Sequence, residues 1–534
     1  MCAERAPILA GVEERGWGRR LAWSTAIFSL ATGLSRILGL AREIVARSYF
    51  GVEGSGINAF TVAFQIPNLV RTLVADQALS SAFVPVFSEL LEKGERARAW
   101  RVASTLFWLL LLGLGALTAL FILLAPLVVA PFDVADEELA TTLARILFPI
   151  VTLLGVFGIV VGVLNSYEHF TVPALTPVLW NLAIIVGLVI GVPRADGEAA
   201  ELYVYAVSIL VGTVLQVLLP VPWLRGRDDR LRVALDWRDP AVKRVFVLMG
   251  PVALGLGLIN FNTIVGTLFA ARLIDPNLAP AAIDAAFRIY MLPQGMFSVA
   301  VATVLFPALS RLAARNDVAG FRHTLGLGLR QIAFLLVPAS VASAVLAEPI
   351  VRLLYERGEF DADQTPVVAG ALAAFSLGLT FNGMMLMLNR GFFSLQAPWT
   401  PTLVAIGNLV LNTALYAAFY RLGTWGIPLA ISVANVAATA ALVVLLRRRV
   451  GRLELATTAA SMLRVTGAGA ALAVAAFPVW FVLDDALGRS LAGQLLSLSA
   501  ALAAGAGAYL VSCRLLGVRE LEALLSLRAR FRRG

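Results

Sequence analysis

Residues 35–89 read SRILGLAREIVARSYFGVEGSGINAFTVAFQIPNLVRTLVADQALSSAFVPVFSE, a stretch that carries charge where hydrocarbon is expected. Arg36 and Arg42 fall inside its first long apolar segment and Arg71 inside the second. A charged side chain at the bilayer centre costs about 2.5–3.5 kcal/mol on insertion scales, so such residues face a hydrated cavity or a partner. The stretch therefore predicts membrane-spanning helices around a polar interior that handles something anionic.

The rest of the chain has the same character. Of 534 residues 59% are hydrophobic and 14% charged, with a mean hydropathy of +0.84; a soluble protein carries about 25% charged residues. Apolar runs of about 20 residues recur, each long enough to span a bilayer. We expect an all-α integral membrane protein of about fourteen spans, near 23–46, 57–88, 103–131, 142–165, 174–193, 202–224, 245–272, 283–310, 326–354, 366–389, 400–420, 426–446, 462–483 and 491–513. The short alternating segments of a porin-like barrel are absent.

The formal charge of +9 is an orientation signal rather than a sign of nucleic acid, because bases gather in alternate connections. One set holds Lys93, Arg96, Arg98 and Arg101, then Arg225 to Arg244, then Arg311, Arg315 and Arg322, then Arg447 to Arg452, and finally the tail. The opposite set is acidic, with Asp133, Asp136, Glu137 and Glu138, then Asp196, Glu198 and Glu201, then Glu356, Glu359, Asp361 and Asp363, then Asp484 and Asp485. This alternation predicts an even number of spans with both termini cytoplasmic. Residues 1–22 lack the layout of a cleaved signal. Cys2 and Cys513 form no metal-ligand spacing, and His169 and His323 fall in polar connections. No metal site or catalytic triad is expected from them.

Two echoes have nearly the same offset. Leu164-Asn165 precedes Thr176-Pro177-Val178-Leu179 as Leu388-Asn389 precedes Thr400-Pro401-Thr402-Leu403, and the motif around Pro85 recurs around Pro307. They predict two parallel six-helix bundles, a transporter architecture. The expected organisation is a cytoplasmic segment 1–22, a bundle 23–224, a basic cytoplasmic linker 225–244, a second bundle 245–446, two appended helices within 462–513, and a basic tail 514–534 on the anionic leaflet.

The opening stretch, with AFRIYMLPQGMFSVAVATVLFPALSR (286–311), LLYERGEFDADQT (353–365) and LNRGFFSLQAPWTPTL (388–403), resembles the MurJ (MviN) lipid II flippases, which share a superfamily with the multidrug exporters. The resemblance implies movement of lipid II, an undecaprenyl pyrophosphate carrying a disaccharide-pentapeptide, from the inner to the outer leaflet of a bacterial plasma membrane by alternating access. Its partners would be lipid II and membrane lipids, with cell-wall synthesis or division proteins as further candidates. No cofactor is expected beyond coupling to sodium or membrane potential.

By the same resemblance Arg36, Arg42, Arg71 and Arg288 are candidate substrate-binding residues, and Ser35 and Asn68 candidate hydrogen-bonding partners. The chemistry agrees, since a guanidinium stays charged and pairs bidentately with phosphate oxygens. The alternative for each arginine is an interfacial or neutralised position. Arg36 and Arg42, six residues apart, stand about 120° apart on a straight helix. Either Gly33 and Gly39 bend it or the two line different walls. Pro67 and Pro85 are further candidate hinges. Glu43, Asn58 and Asp76 are candidates for charge balance or coupling, with Asn58 standing where the family commonly has Asp. Phe287 replaces an acid usually found before the arginine at Arg288. Asn260, Asn262, Asn408 and Asn412 offer amide oxygens to a sodium ion.

The alternatives are a flippase for another lipid-linked oligosaccharide, a multidrug or cation exporter, and a membrane enzyme. A cation exporter favours a carboxylate-lined cavity, whereas the first two spans hold Arg36, Arg42 and Arg71 against Glu43 and Asp76. A polyprenyl-phosphate transferase needs clustered acids for a metal or a base, and the spans show no such cluster, so no enzyme activity is expected.

Overall fold

The computed structural model describes residue 31 and residues 33–74, 77–167, 169, 171–451, 453 and 455–521; within helices it leaves some side chains undescribed, including that of Arg71. Among the described residues all regular structure is helical. Ten helices there are long and apolar enough to cross a membrane. Each coincides with an expected span, and one of them, Trp399–Val450, takes in two. That run breaks at Gly423, where φ 76° and ψ −152° leave the helical region, a conformation open to glycine. The helices on the first, second and seventh expected spans are not among the ten.

The chain forms two compact units, one of residues up to Tyr49 with Ala59–Ile264, the other of Phe50–Asn58 with Val265–Gly534. The first contains α1 (33–50), most of α2 (Ser55–Val74), α3 (Gln77–Glu92), α4 (Arg96–Leu123), α5 (Ala125–Val129), α6 (Glu137–Leu147), α7 (Pro149–Ser166), α8 (Thr171–Val186), α9 (Glu198–Leu218) and most of α10 (Pro240–Phe269). Local chemistry sets the boundaries. Asp136 caps α6, its carboxylate accepting from the Leu139 amide at 2.9 Å, with Glu137 and Glu138 in the first turn facing the positive end of the helix dipole. The expected span 103–131 is divided after Leu123, and Pro126 lies in the first turn of α5, where a residue without N–H is tolerated.

The core of this unit joins α3, α4, α7 and the start of α10 around Phe83, Phe87, Trp100 and Leu106. Phe87 meets Trp100 and Tyr167 edge-on, at 6.2 Å each, the geometry aromatic quadrupoles prefer. The basic segment before α10 is fastened to α4. The Arg232 amide donates to Ser104 Oγ at 3.1 Å and the Asp236 amide to Thr105 Oγ1 at 3.2 Å. Arg98 bonds both oxygens of Asp239, at 3.1 Å each, and these bonds hold the Asp239 carboxyl below the usual carboxylate range.

The second unit contains α11 (Ala279–Pro293), α12 (Val299–Ala314), α13 (Val318–Val345), α14 (Ala347–Tyr355), α15 (Gln364–Ser394), α16 (Trp399–Phe419), α17 (Gly426–Val450), α18 (Leu455–Leu487) and α19 (Leu491–Leu515). Small residues permit close helix approach, as expected in a membrane. A Cβ on Gly378 of α15 would stand 2.6 Å from the Ser432 Cα of α17, and Ser432 Oγ donates to the Ala374 carbonyl at 2.6 Å. The last two helices are tied to α13 and α14. Tyr509 OH donates to the Phe334 carbonyl at 2.7 Å, Arg330 Nε stands 3.1 Å from Glu520 Oε1, and buried Arg352 pairs with Asp484 through Nη1 and Nη2.

Candidate functional site

Within the first unit, α1, α2, α7, α8 and α9 enclose a cavity of about 410 Å3. Most of its lining is apolar, a few neutral polar side chains interrupt it, and none of the lining side chains is charged. Ser35 comes from α1, Asn68 from α2, Thr176 and Asn181 from α8, and Thr213 and Gln216 from α9; Phe64, Phe157 and Trp180 supply aromatic faces. The local sequence explains α8. Pro177 has no N–H for the Pro173 carbonyl, and the Thr176 hydroxyl donates to that carbonyl at 2.9 Å instead. Asn181 Nδ2 donates to the Pro177 carbonyl at 2.9 Å and the Ser35 carbonyl at 3.4 Å, joining α8 to α1. Its Oδ1 is buried and accepts no hydrogen bond. Trp180 Nε1 donates to Thr213 Oγ1 at 3.1 Å, which donates to the Ile209 carbonyl at 2.8 Å.

A charge cluster stands beside this cavity. The Arg42 guanidinium lies 4.9 Å from the Trp180 ring centroid, a cation–π arrangement. Its Nη2 is 3.6 Å from Glu43 Oε2, its Nε is buried without a hydrogen-bond partner, and the side chain is 11% exposed. Glu43 is buried and accepts from Arg47 Nε at 3.0 Å, with Arg47 Nη2 at 2.9 Å. Two nearly dry guanidiniums thus share one carboxylate. Arg47 was legible as the (i, i+4) partner of Glu43, yet the sequence reading passed over it in favour of Arg36 and Arg42.

The other candidates separate. α1 is unbroken helix through Gly39, and Arg36 is exposed where Arg42 is not, as six residues of helix dictate. Pro67 lines the cavity, and Pro85 is exposed on α3. Asp76 and the side chain of Arg71 lie outside the described residues. In the second unit Arg288 is 38% exposed and bonds Asp284 one turn earlier through Nε at 3.3 Å and Nη2 at 3.1 Å. Asp284 is an acid that the sequence reading missed, although the (i, i+4) spacing announces it. Phe287 packs against Tyr290 and Phe375.

Asn58 is spent on backbone. In the second unit its Nδ2 donates to the carbonyls of Val52 at 3.0 Å, Gly54 at 2.9 Å and Asn277 at 2.6 Å, and its Oδ1 accepts from the Ala281 amide at 2.9 Å. Asn58→Asp keeps the acceptor and loses both N–H donors, which serve the three carbonyls. We expect a loss of about 1–3 kcal/mol, the cost of buried groups left unsatisfied, read as a lower denaturation midpoint of the detergent-solubilised protein. Asn260 and Asn262 lie on α10 and Asn408 and Asn412 on α16; the last two have buried amide oxygens with no hydrogen-bond donor. No group of three or more His, Cys, Asp or Glu suited to a metal occurs among the described residues.

Comparisons with known proteins follow the same lines. A family model described as "Lipid II flippase MurJ" matches residues 46–495. The lipid II flippase MurJ of Burkholderia cenocepacia is 33% identical over 413 residues, covering 75% of this chain and 79% of that protein. The probable lipid II flippase MurJ of Vibrio cholerae is 32% identical over 420 residues, covering 75% and 78%. A solved structure of a lipid II flippase MurJ in an inward closed conformation aligns with a TM-score of 0.76 at 24% identity, over 92% of this chain and 99% of that one. An inward-facing multidrug transporter of the MATE family aligns with a TM-score of 0.68 at 19% identity, over 79% and 95%.

Proposed function

Since the chain belongs to the MurJ family of lipid II flippases, a multi-pass family of the bacterial inner membrane, we propose how its own residues serve that activity. The chain flips lipid II. Arg42, Arg36 and Arg71 bind the pyrophosphate and the carboxylates of the headgroup, Arg288 is a further substrate-binding residue, and Ser35 and Asn68 add neutral hydrogen bonds. Alternating access exposes the bound headgroup first to the cytoplasmic and then to the external side. In this reading the chain has fourteen spans, two parallel six-helix bundles and both termini cytoplasmic, as the repeat offset and the charge alternation suggest.

The observation that carries the proposal is the state of Arg42. A guanidinium 11% exposed, stacked on Trp180 and short of a partner at Nε, is desolvated at a cost that a structural role alone does not require. An incoming phosphate supplies the missing acceptors in a bidentate geometry. The mechanism asks the protein for no bond making, only for charge matched to the cargo on both sides of the membrane.

Depletion of the protein in its host tests the function. Lipid II synthesis should continue while lipid II accessible at the outer leaflet falls to background. Undiminished exposure, together with loss of cationic-dye efflux, would instead assign the chain to drug export. Coupling is tested in the same cells. If the oxygens of Asn408 and Asn412 contribute to a sodium site, replacing sodium by choline slows flipping, and an unchanged rate removes the ion from the cycle.

A further inference from the structure

The cavity beside Arg42 has a chemistry of its own. No ionisable side chain is among its lining residues, so it offers no countercharge to a free phosphate, a carboxylate or an ammonium group. It offers amides and hydroxyls from Ser35, Asn68, Asn181 and Gln216, set between the aromatic faces of Phe64, Phe157 and Trp180. Asn181 is 5% exposed, and its Oδ1 is buried on the side of α1, where a Cβ on Gly39 would stand 3.8 Å from it. The volume of about 410 Å3 lies within the usual range of small-molecule sites, about 300–1,000 Å3.

Hydroxyl groups for Gln216, Asn68 and Ser35, an apolar ring face for the aromatics and no charge together describe a pyranose. We infer that this cavity is a saccharide subsite that receives the first sugar of the lipid-linked headgroup, with Arg42 holding the adjoining phosphate. The inference rests on the lipid II reading and adds to it a division of labour. In lipid II the first sugar is bonded directly to the pyrophosphate, so the two sites must be neighbours. Here they share one residue, since Trp180 lines the cavity and carries the Arg42 guanidinium on its ring at 4.9 Å. The stem peptide, which carries carboxylates and an amine, finds no complement in this lining.

The test is binding of three probes to the full chain in nanodiscs: undecaprenyl pyrophosphate, the same lipid carrying the disaccharide without peptide, and lipid II. We expect the disaccharide lipid to bind about tenfold more tightly than the bare pyrophosphate, the worth of one or two otherwise unmet hydrogen bonds, with the peptide adding little at this cavity. Gln216→Leu, which removes an amide, and Phe157→Leu, which removes an aromatic face, should each erase most of that advantage while leaving affinity for the bare lipid unchanged. Equal binding of the bare and disaccharide lipids by the unaltered protein overturns the subsite and leaves the flippase reading standing. An advantage that survives in both variants, or that appears only when the peptide is present, also overturns it. Failure to bind any of the three lipids removes the lipid II reading itself, and the subsite with it.

Discussion

Arg42→Ala is expected to abolish lipid II flipping while the protein still reaches the membrane at normal level. Truncating one partner of a desolvated charge interaction costs about 2–5 kcal/mol, or roughly 30- to 5,000-fold in rate. Arg42 stands at the upper part of that range because its side chain is nearly dry and its Nε has no protein partner. Arg42→Lys should fall between, since it keeps the charge and loses the planar fork and the stacking on Trp180. The readout is lipid II exposed at the outer leaflet in cells that depend on the variant, beside immunoblots of membrane protein. Full activity of Arg42→Ala at normal level would show that the guanidinium is structural.

The second large effect is on stability. Glu43→Gln removes the carboxylate that stands between Arg42 and Arg47, at 3.6 Å from one and 2.9 Å from the other. Breaking a buried ion pair from one side costs about 3–5 kcal/mol, because the remaining charge keeps its desolvation penalty. We expect a sharply lower denaturation midpoint and less folded protein in the membrane. Adding Arg47→Met should recover part of the loss, since it removes one of the two guanidiniums that Glu43 neutralises while Arg42 keeps its desolvation penalty. A cycle of both single variants and the double variant measures the coupling directly. Independent, additive losses would mean that the pair contributes nothing as a pair.

The two effects concern adjacent residues and are distinguishable. Arg42 acts on transport with little change in abundance, whereas Glu43 acts on abundance first. Arg42 stands out in the sequence because a cation in an apolar run is conspicuous. The helices stand out for a similar reason, since runs of about twenty apolar residues and alternating basic connections follow from bilayer thickness and orientation. The pairing of Glu43 with Arg47 was present in the spacing and was passed over, because charges that neutralise each other attract less notice than unpaired ones.

Other features lay beyond the sequence. Trp180, Asn181 and Gln216 are neutral residues on two helices, and nothing in composition marks them as lining one cavity with Ser35. Asn58 occupies a position at which an acid invites a coupling role, and its amide is instead bonded to carbonyls six, four and 219 residues away. Such long-range contacts have no local signature. The helix period did foretell that Arg36 and Arg42 cannot share one narrow face. With no break at Gly39, that constraint holds, and Arg36 is left exposed while Arg42 turns to Trp180.

The most direct test places the purified chain in vesicles with lipid II confined at the start to one leaflet. Lipid II reaching the other leaflet is counted with an impermeant lipid II-binding probe. The account predicts transfer well above protein-free vesicles, lost with Arg42→Ala and unaffected by a cationic dye. Transfer no faster than in empty vesicles, or equal transfer by the alanine variant, would contradict it.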